Sequence, residues 1–246
     1  MQHRSKKIKK SFFIILVVLI VLSGGSAIYL SNYYHSVDVE KYMNGSSEVS
    51  VEKIDKGWFF DGAGEEKALI FYPGAKVATE AYAPLMYQLA ESGIDCFLVD
   101  MPFHMAFFGM NRAEEIMQEY NYEAWYLGGH SLGGAMAANF AADYVEDHTD
   151  GIRGLLLLAA YPTKDLSTSD MSVVTVYGSE DGVLNMDKIV AGRELMPQDY
   201  KEVCIEGGNH AQFGSYGAQK GDGTAAIPAE EQWARTVEVF VGDESE

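Results

Sequence analysis

The sequence predicts an α/β fold, a mostly parallel sheet of about eight strands with helices on both faces, on three observations. From Glu48 onward short apolar runs alternate with stretches of helical periodicity, the pattern that successive βαβ units leave in a chain. The runs are continuously apolar rather than alternating, as strands covered on both faces require. The length of 246 residues with 48% hydrophobic content supplies one full-sized core and leaves room only for a short appendage.

The chain opens on a basic segment, residues 1–10, with Arg4, Lys6, Lys7, Lys9 and Lys10 and no acid. Phe12 to Leu22 is then unbroken apolar sequence, diluted by Ser23 to Ser26 and resumed at Ala27 to Leu30. Nineteen residues as a helix span about 28 Å, close to a bilayer core. Cations before the run hold that end in the cytoplasm and send the following chain outside. We therefore expect a transmembrane signal anchor over 11–30, with a cleaved signal peptide ending near Gly25-Ser26-Ala27 as the alternative. Either way the domain is extracytoplasmic, at the cell membrane or secreted. Residues 31–47 are polar, patchily aromatic and aperiodic, which reads as a stalk, and 242–246 as an acidic tail.

Eight strands follow in order. Val49 to Ile54 and Trp58 to Phe60 form an antiparallel lead-in. Ala68 to Tyr72, Asp95 to Val99, Ala124 to Leu127, Leu155 to Ala159, Val173 to Tyr177 and Glu202 to Ile205 are the parallel set. Pro84 suits a helix first turn and Gly93 a helix end. Pro228 opens a helix whose Trp233, Val237, Phe240 and Val241 recur at one-face spacing.

Charge excludes one class of partner. The whole chain carries −18, so with five cations in the first thirty residues the remainder carries −23. Such a surface repels phosphate backbones, and no nucleic-acid partner is expected. Cys96 and Cys204 belong to no CxxC or Cys/His cluster, so no metal site is indicated, and both are expected as buried free thiols.

The chemistry concentrates after the strand Ala124 to Leu127, where Gly128-Gly129-His130-Ser131-Leu132-Gly133-Gly134 leads into an alanine-rich helical stretch. A serine held on a sharp strand-to-helix turn needs neighbours without Cβ two residues before and two after it, and Gly129 and Gly133 supply them. Gly129-x-Ser131-x-Gly133 in this setting resembles the nucleophile elbow of the α/β-hydrolase superfamily. Two further matches follow in that superfamily's order. Asp181, in Gly178-Ser179-Glu180-Asp181-Gly182 after the strand Val173 to Tyr177, resembles the triad acid. His210, in Gly207-Gly208-Asn209-His210 after the last strand, resembles the base. His130, inside the elbow, reads as structural.

The resemblance extends over about residues 48–241 and implies a small, lidless, esterase-like serine hydrolase. Ser131 would be the nucleophile, Asp181 and His210 its partners, and no cofactor would be needed. It also implies an oxyanion hole built from the Leu132 amide and one amide of Pro73-Gly74-Ala75-Lys76, with Ala75 ahead of Lys76. Only thirteen residues separate the strands ending at Ala159 and beginning at Val173, where relatives insert a lid. A shallow site for small acyl esters, thioesters or amides follows. Met101, Phe103 and His104, after the strand Asp95 to Val99, are expected to contact substrate. The same constellation serves acyltransferases, and a non-catalytic surface binding or sensing module on this scaffold is the reading from a different class.

Overall fold

The computed structural model describes residues 16, 25, 31–148 and 151–243. The basic segment 1–10 and, apart from two isolated positions, the anchor expected over 11–30 lie outside the described residues. Among the described residues no helix is long and apolar enough to cross a membrane.

All eight expected strands form, as β1 (Ser50–Ile54), β2 (Gly57–Asp61), β3 (Lys67–Tyr72), β4 (Asp95–Val99), β5 (Ala124–His130), β6 (Ile152–Leu158), β7 (Ser172–Gly178) and β8 (Tyr200–Ile205). They make one sheet in the order β1-β2-β4-β3-β5-β6-β7-β8. The β1–β2 and β2–β4 pairs are antiparallel, and every pair from β4–β3 to β7–β8 is parallel. Strand order reverses at β3, which has β4 on one side and β5 on the other, so the crevice at their carboxyl ends is where this architecture places a ligand.

Helices α1 (Glu40–Met43), α2 (Ala83–Glu91), α3 (Arg112–Glu119), α4 (Leu132–Asp147), α5 (Met186–Gly192) and α6 (Ala229–Asp243) connect or cover the strands. Pro84 lies in the first turn of α2, and Gly93 follows its end at φ 87°, a conformation that suits glycine. Trp233, Val237 and Phe240 of α6 and Leu85, Met86 and Leu89 of α2 share one core with Leu69, Leu98, Leu156 and Val176. On the opposite face Ala137, Ala138, Phe140 and Ala141 of α4 pack with Ile70, Phe97, Leu127 and Leu157. Each fully buried side chain of this size contributes about 1.5–3 kcal/mol of transfer free energy, and together they fix the strand ends that carry the site. No helix interrupts residues 159–171 between β6 and β7, and no lid is present among the described residues.

Two boundaries and the burial of one cysteine differ from expectation. The stalk expected over 31–47 is bound to the domain from Tyr34 on. The Tyr34 amide donates to the Lys76 carbonyl, the Val37 amide to that of Ser215, Val39 is buried, and Tyr42 meets Trp233 edge-on. Such a segment has no face of its own; it lends single apolar side chains to a core built elsewhere, and that leaves no period to read. Helix α6 runs to Asp243, two residues into the expected acidic tail. Cys96 is buried, but Cys204 is exposed; both are free. β8 is an edge strand of mixed burial, so the two-sided cover inferred from its apolar composition is missing.

Candidate active site

The site is assembled at the carboxyl ends of β3, β5, β7 and β8. Ser131 follows β5 and occupies the N-cap position of α4 with φ 54° and ψ −122°, a backbone region that costs a non-glycine residue about 1–3 kcal/mol and persists only where its surroundings dictate it. Those surroundings are close-packed. A Cβ on Gly133 would lie 2.1 Å from the Tyr72 carbonyl oxygen, and one on Gly129 would lie 2.6 Å from the Gly133 carbonyl carbon. The Ser131 amide donates to the Leu158 carbonyl at 2.9 Å, which ties the turn to β6.

His210 and Asp181 come from the loops after β8 and β7. Asp181 Oδ2 lies 2.8 Å from His210 Nδ1, and both side chains are almost fully buried. The other carboxylate oxygen, Oδ1, accepts the amides of Val183 at 2.9 Å and Leu184 at 2.7 Å, so the acid cannot rotate without breaking backbone hydrogen bonds. Its neighbour Glu180 is exposed and is engaged instead by the Ser179 hydroxyl. His210 Nε2 is buried and without a hydrogen-bond partner. Among the described residues, Ser131 and His210 line one cavity of about 340 Å³. With them are Leu132, Ala135, Met136, Ala159, Ala160, Tyr161, Thr163, Val183, Leu184 and Asn185, and no acidic or cationic side chain joins them.

The amides around Ser131 are distributed unevenly. Leu132 is the first residue of α4, where an amide has no acceptor within the helix. In the loop after β3 the Gly74 amide donates to the Tyr82 hydroxyl at 3.0 Å and the Lys76 amide to the His104 carbonyl at 2.7 Å. Lys76 is thereby occupied; the Ala75 amide makes no hydrogen bond among the described residues, and Ala75 does not line the cavity that Ser131 and His210 share.

The loop after β4 departs from expectation. Met101 is buried, Phe103 is 57% exposed, and neither these two nor His104 lines the cavity that Ser131 and His210 share. Phe103 and His104 are both left-handed, and the His104 carbonyl is turned onto the Lys76 amide, which directs this segment to the β3 loop. The cavity walls come instead from the loop after β6, the segment 183–185 after β7, and the first turns of α4.

Two groups that sequence reasoning missed stand behind these side chains. The Asp222 carboxylate accepts the amides of Gly182 at 3.1 Å, Gly223 at 2.9 Å, His210 at 3.3 Å and Ala211 at 2.8 Å, clamping the acid loop to the histidine loop. Its only trace in the sequence is the turn signal Gly221-Asp222-Gly223. Tyr82, fully buried, bonds His130 of the elbow at 2.7 Å. The His130 ring lies 4.4 Å from that of His210, centroid to centroid. Burial, with His210 beside it, pushes the His130 pKa well below the ordinary histidine value, so the ring is neutral.

Comparison with known proteins agrees with this architecture. Residues 68–234 match the model of a family described as "Alpha/beta hydrolase family". No match was found among curated protein sequences. Among solved structures, carboxyl esterase 2 from the mycorrhizal fungus Tuber melanosporum superposes with a TM-score of 0.60 at 13% identity, over 85% of this chain and 89% of that one. Est1E from Butyrivibrio proteoclasticus gives 0.55 at 16% identity, over 81% and 100%. Carboxylesterase CesB from Bacillus subtilis gives 0.53 at 8% identity, over 83% and 96%. At these identities the likeness is one of fold.

Proposed function

The chain belongs to the alpha/beta hydrolase family, and from that premise we propose that it is a serine hydrolase that cleaves small, uncharged acyl esters through an acyl-enzyme. Ser131 Oγ attacks the ester carbonyl carbon while His210 Nε2 takes its proton. The oxyanion is held by the amides of Leu132 and Ala75. Its collapse expels the alcohol, which receives the proton from His210. Water, deprotonated by the same nitrogen, then attacks the acyl carbon and releases Ser131. Asp181 holds the Nδ1 proton, and with it the tautomer that leaves Nε2 free to act as base.

The observation that carries this reading is that the strained serine and an Asp181-bonded imidazole, whose buried Nε2 has no hydrogen-bond partner among the described residues, line the same cavity. The absence of charge from that cavity supports an apolar, uncharged acyl group, and the missing lid supports short or protruding substrates over long-chain lipid. Thioesters and amides share the chemistry, and the carboxylesterase names of two structural neighbours favour esters. We also place the domain outside the cell, held to the membrane by residues 11–30; recovery of the expressed chain in washed membranes at full length is the expected result.

The test is labelling with a fluorophosphonate followed by turnover of p-nitrophenyl esters of graded acyl length. Wild type labels at Ser131 and turns over short esters, and Ser131→Ala does neither. A folded wild type that fails to label defeats the proposal.

A further inference from the structure

We infer that Tyr82 and His130 are positioning residues that hold the oxyanion loop and the general base in one frame, an assignment that rests on the serine-hydrolase reading above. Three contacts carry it. The Gly74 amide, next to the Ala75 amide proposed as an oxyanion donor, donates to Tyr82 Oη at 3.0 Å. Tyr82 Oη lies 2.7 Å from His130 Nδ1. The His130 ring, one residue before the nucleophile, packs against His210 with centroids 4.4 Å apart and planes inclined by 53°.

The proton positions follow from the donors. Gly74 can only donate, so Tyr82 Oη accepts from it. Burial raises the Tyr82 pKa and keeps the phenol protonated, and its single proton is then directed to His130 Nδ1. With that phenol proton on Nδ1, a neutral His130 carries its own proton on Nε2, a buried atom with no hydrogen-bond partner among the described residues. The result is one directional path from the β3 loop through a phenol to the residue adjoining Ser131. An uncharged ring at its end can face His210 when His210 becomes an imidazolium.

The geometry leaves little slack. Tyr82 and His130 are buried, and a Cβ on Gly74 would lie 2.8 Å from both Tyr82 Oη and His130 Nδ1. Only glycine lets the loop backbone approach that pair. A phenol used merely to fill the core would not need to meet the loop that carries the oxyanion donor and the elbow histidine at the same oxygen. Here the loop, the nucleophile and the base cannot shift independently, and a shift of about 1 Å in such an array costs about a hundredfold in rate.

The experiment uses the full chain, a short p-nitrophenyl ester and thermal unfolding monitored in parallel. Tyr82→Phe removes only the hydroxyl; kcat falls at least about tenfold while KM stays within about twofold, because the interaction lost is one the transition state uses. His130→Asn places an amide oxygen near the Nδ1 position and still accepts from Tyr82, so it keeps most of kcat, whereas His130→Leu falls as far as Tyr82→Phe. The double variant Tyr82→Phe with His130→Leu loses no more than either single one, as members of one unit do. If His130→Leu does not fold, Tyr82→Phe and His130→Asn still decide. The inference is overturned if Tyr82→Phe retains wild-type kcat, if His130→Asn is as impaired as His130→Leu, or if the losses in the double variant multiply. A wild type that neither labels with fluorophosphonate nor turns over any ester would overturn the hydrolase reading itself, a result separable from an active wild type indifferent to Tyr82.

Discussion

Replacing Asp181 by asparagine tests the catalytic assignment more sharply than deleting it, because the surrounding backbone dictates which way the new amide must face. Oδ1 of Asp181 accepts two amides, from Val183 at 2.9 Å and Leu184 at 2.7 Å, and Oδ2 meets His210 Nδ1 at 2.8 Å. An asparagine that kept its oxygen on the two amides would present its NH2 group to His210. Flipping it would set NH2 against two backbone donors and leave both unsatisfied, at about 1–3 kcal/mol each. The amide therefore stays unflipped and donates to Nδ1, which must become an acceptor. The ring proton moves to Nε2, and the nitrogen that should deprotonate Ser131 no longer can. Where a triad acid is converted in this way kcat drops by about 10⁴, equivalent to about 5.4 kcal/mol of transition-state stabilisation. We expect Asp181→Asn to show a loss of that order in kcat and in the rate of fluorophosphonate labelling. The unfolding midpoint should stay close to wild type, since the two backbone bonds survive. Activity within tenfold of wild type would refute the tautomer argument.

Other substitutions test the scaffold. Asp222→Ala removes the carboxylate that accepts four backbone amides in the clamp between the loops that carry Asp181 and His210; counted at the net value of one hydrogen bond to a charged group, about 1.5–3 kcal/mol, because amides of this partly exposed loop can turn to water, the melting temperature should fall by about 4–10 °C and kcat by at least about tenfold, measured by calorimetry and ester turnover. Gly133→Ala forces a Cβ to within 2.1 Å of the Tyr72 carbonyl oxygen; the elbow must open, and a nucleophile displaced by about 1 Å loses about a hundredfold in kcat. The Arg193 guanidinium, with the hydroxyls of Tyr177 and Tyr200, holds the Glu202 carboxyl down to about 2. Because that value is below the unfolded one, Glu202 stabilises the fold above the unfolded pKa and the benefit is lost as pH falls through the folded one. Glu202→Gln should thus lower the melting temperature at pH 6, and the difference from wild type should close toward pH 2.

How much of this was legible in the chain depends on whether a property is local. Ser131, Asp181 and His210, the residues of the proposed triad, could be placed near one another because each sits a few residues beyond the end of an apolar run, and a parallel sheet brings the ends of its strands to one edge without further information. All eight strands were legible for the same reason. Properties set by strand order were not. The exposure of Cys204 follows from β8 lying at the sheet edge, and composition alone could not distinguish that from a central place. The loop after β4 illustrates the other limit. Its Met and Phe residues suit a substrate wall, but two consecutive left-handed residues, Phe103 and His104, turn it onto Lys76, and neither is a glycine that would have announced the turn.

The same distinction explains why the proposed triad was easier to read in the sequence than the groups packed around it. A nucleophile, an acid and a base must each be one residue type at one kind of junction, whereas supporting them requires only an acceptor in the right place. Asp222 does this through backbone amides, which every residue except proline possesses, so its partners Gly182, Gly223, His210 and Ala211 have no side-chain signature. Tyr82 does it through a single oxygen shared between Gly74 and His130, eight and forty-eight residues away. In this chain the chemistry is written in side chains and the precision in backbone contacts. Variants at Asp222 and Tyr82 should therefore lose rate while keeping the labelled serine, and variants at Ser131 should lose both.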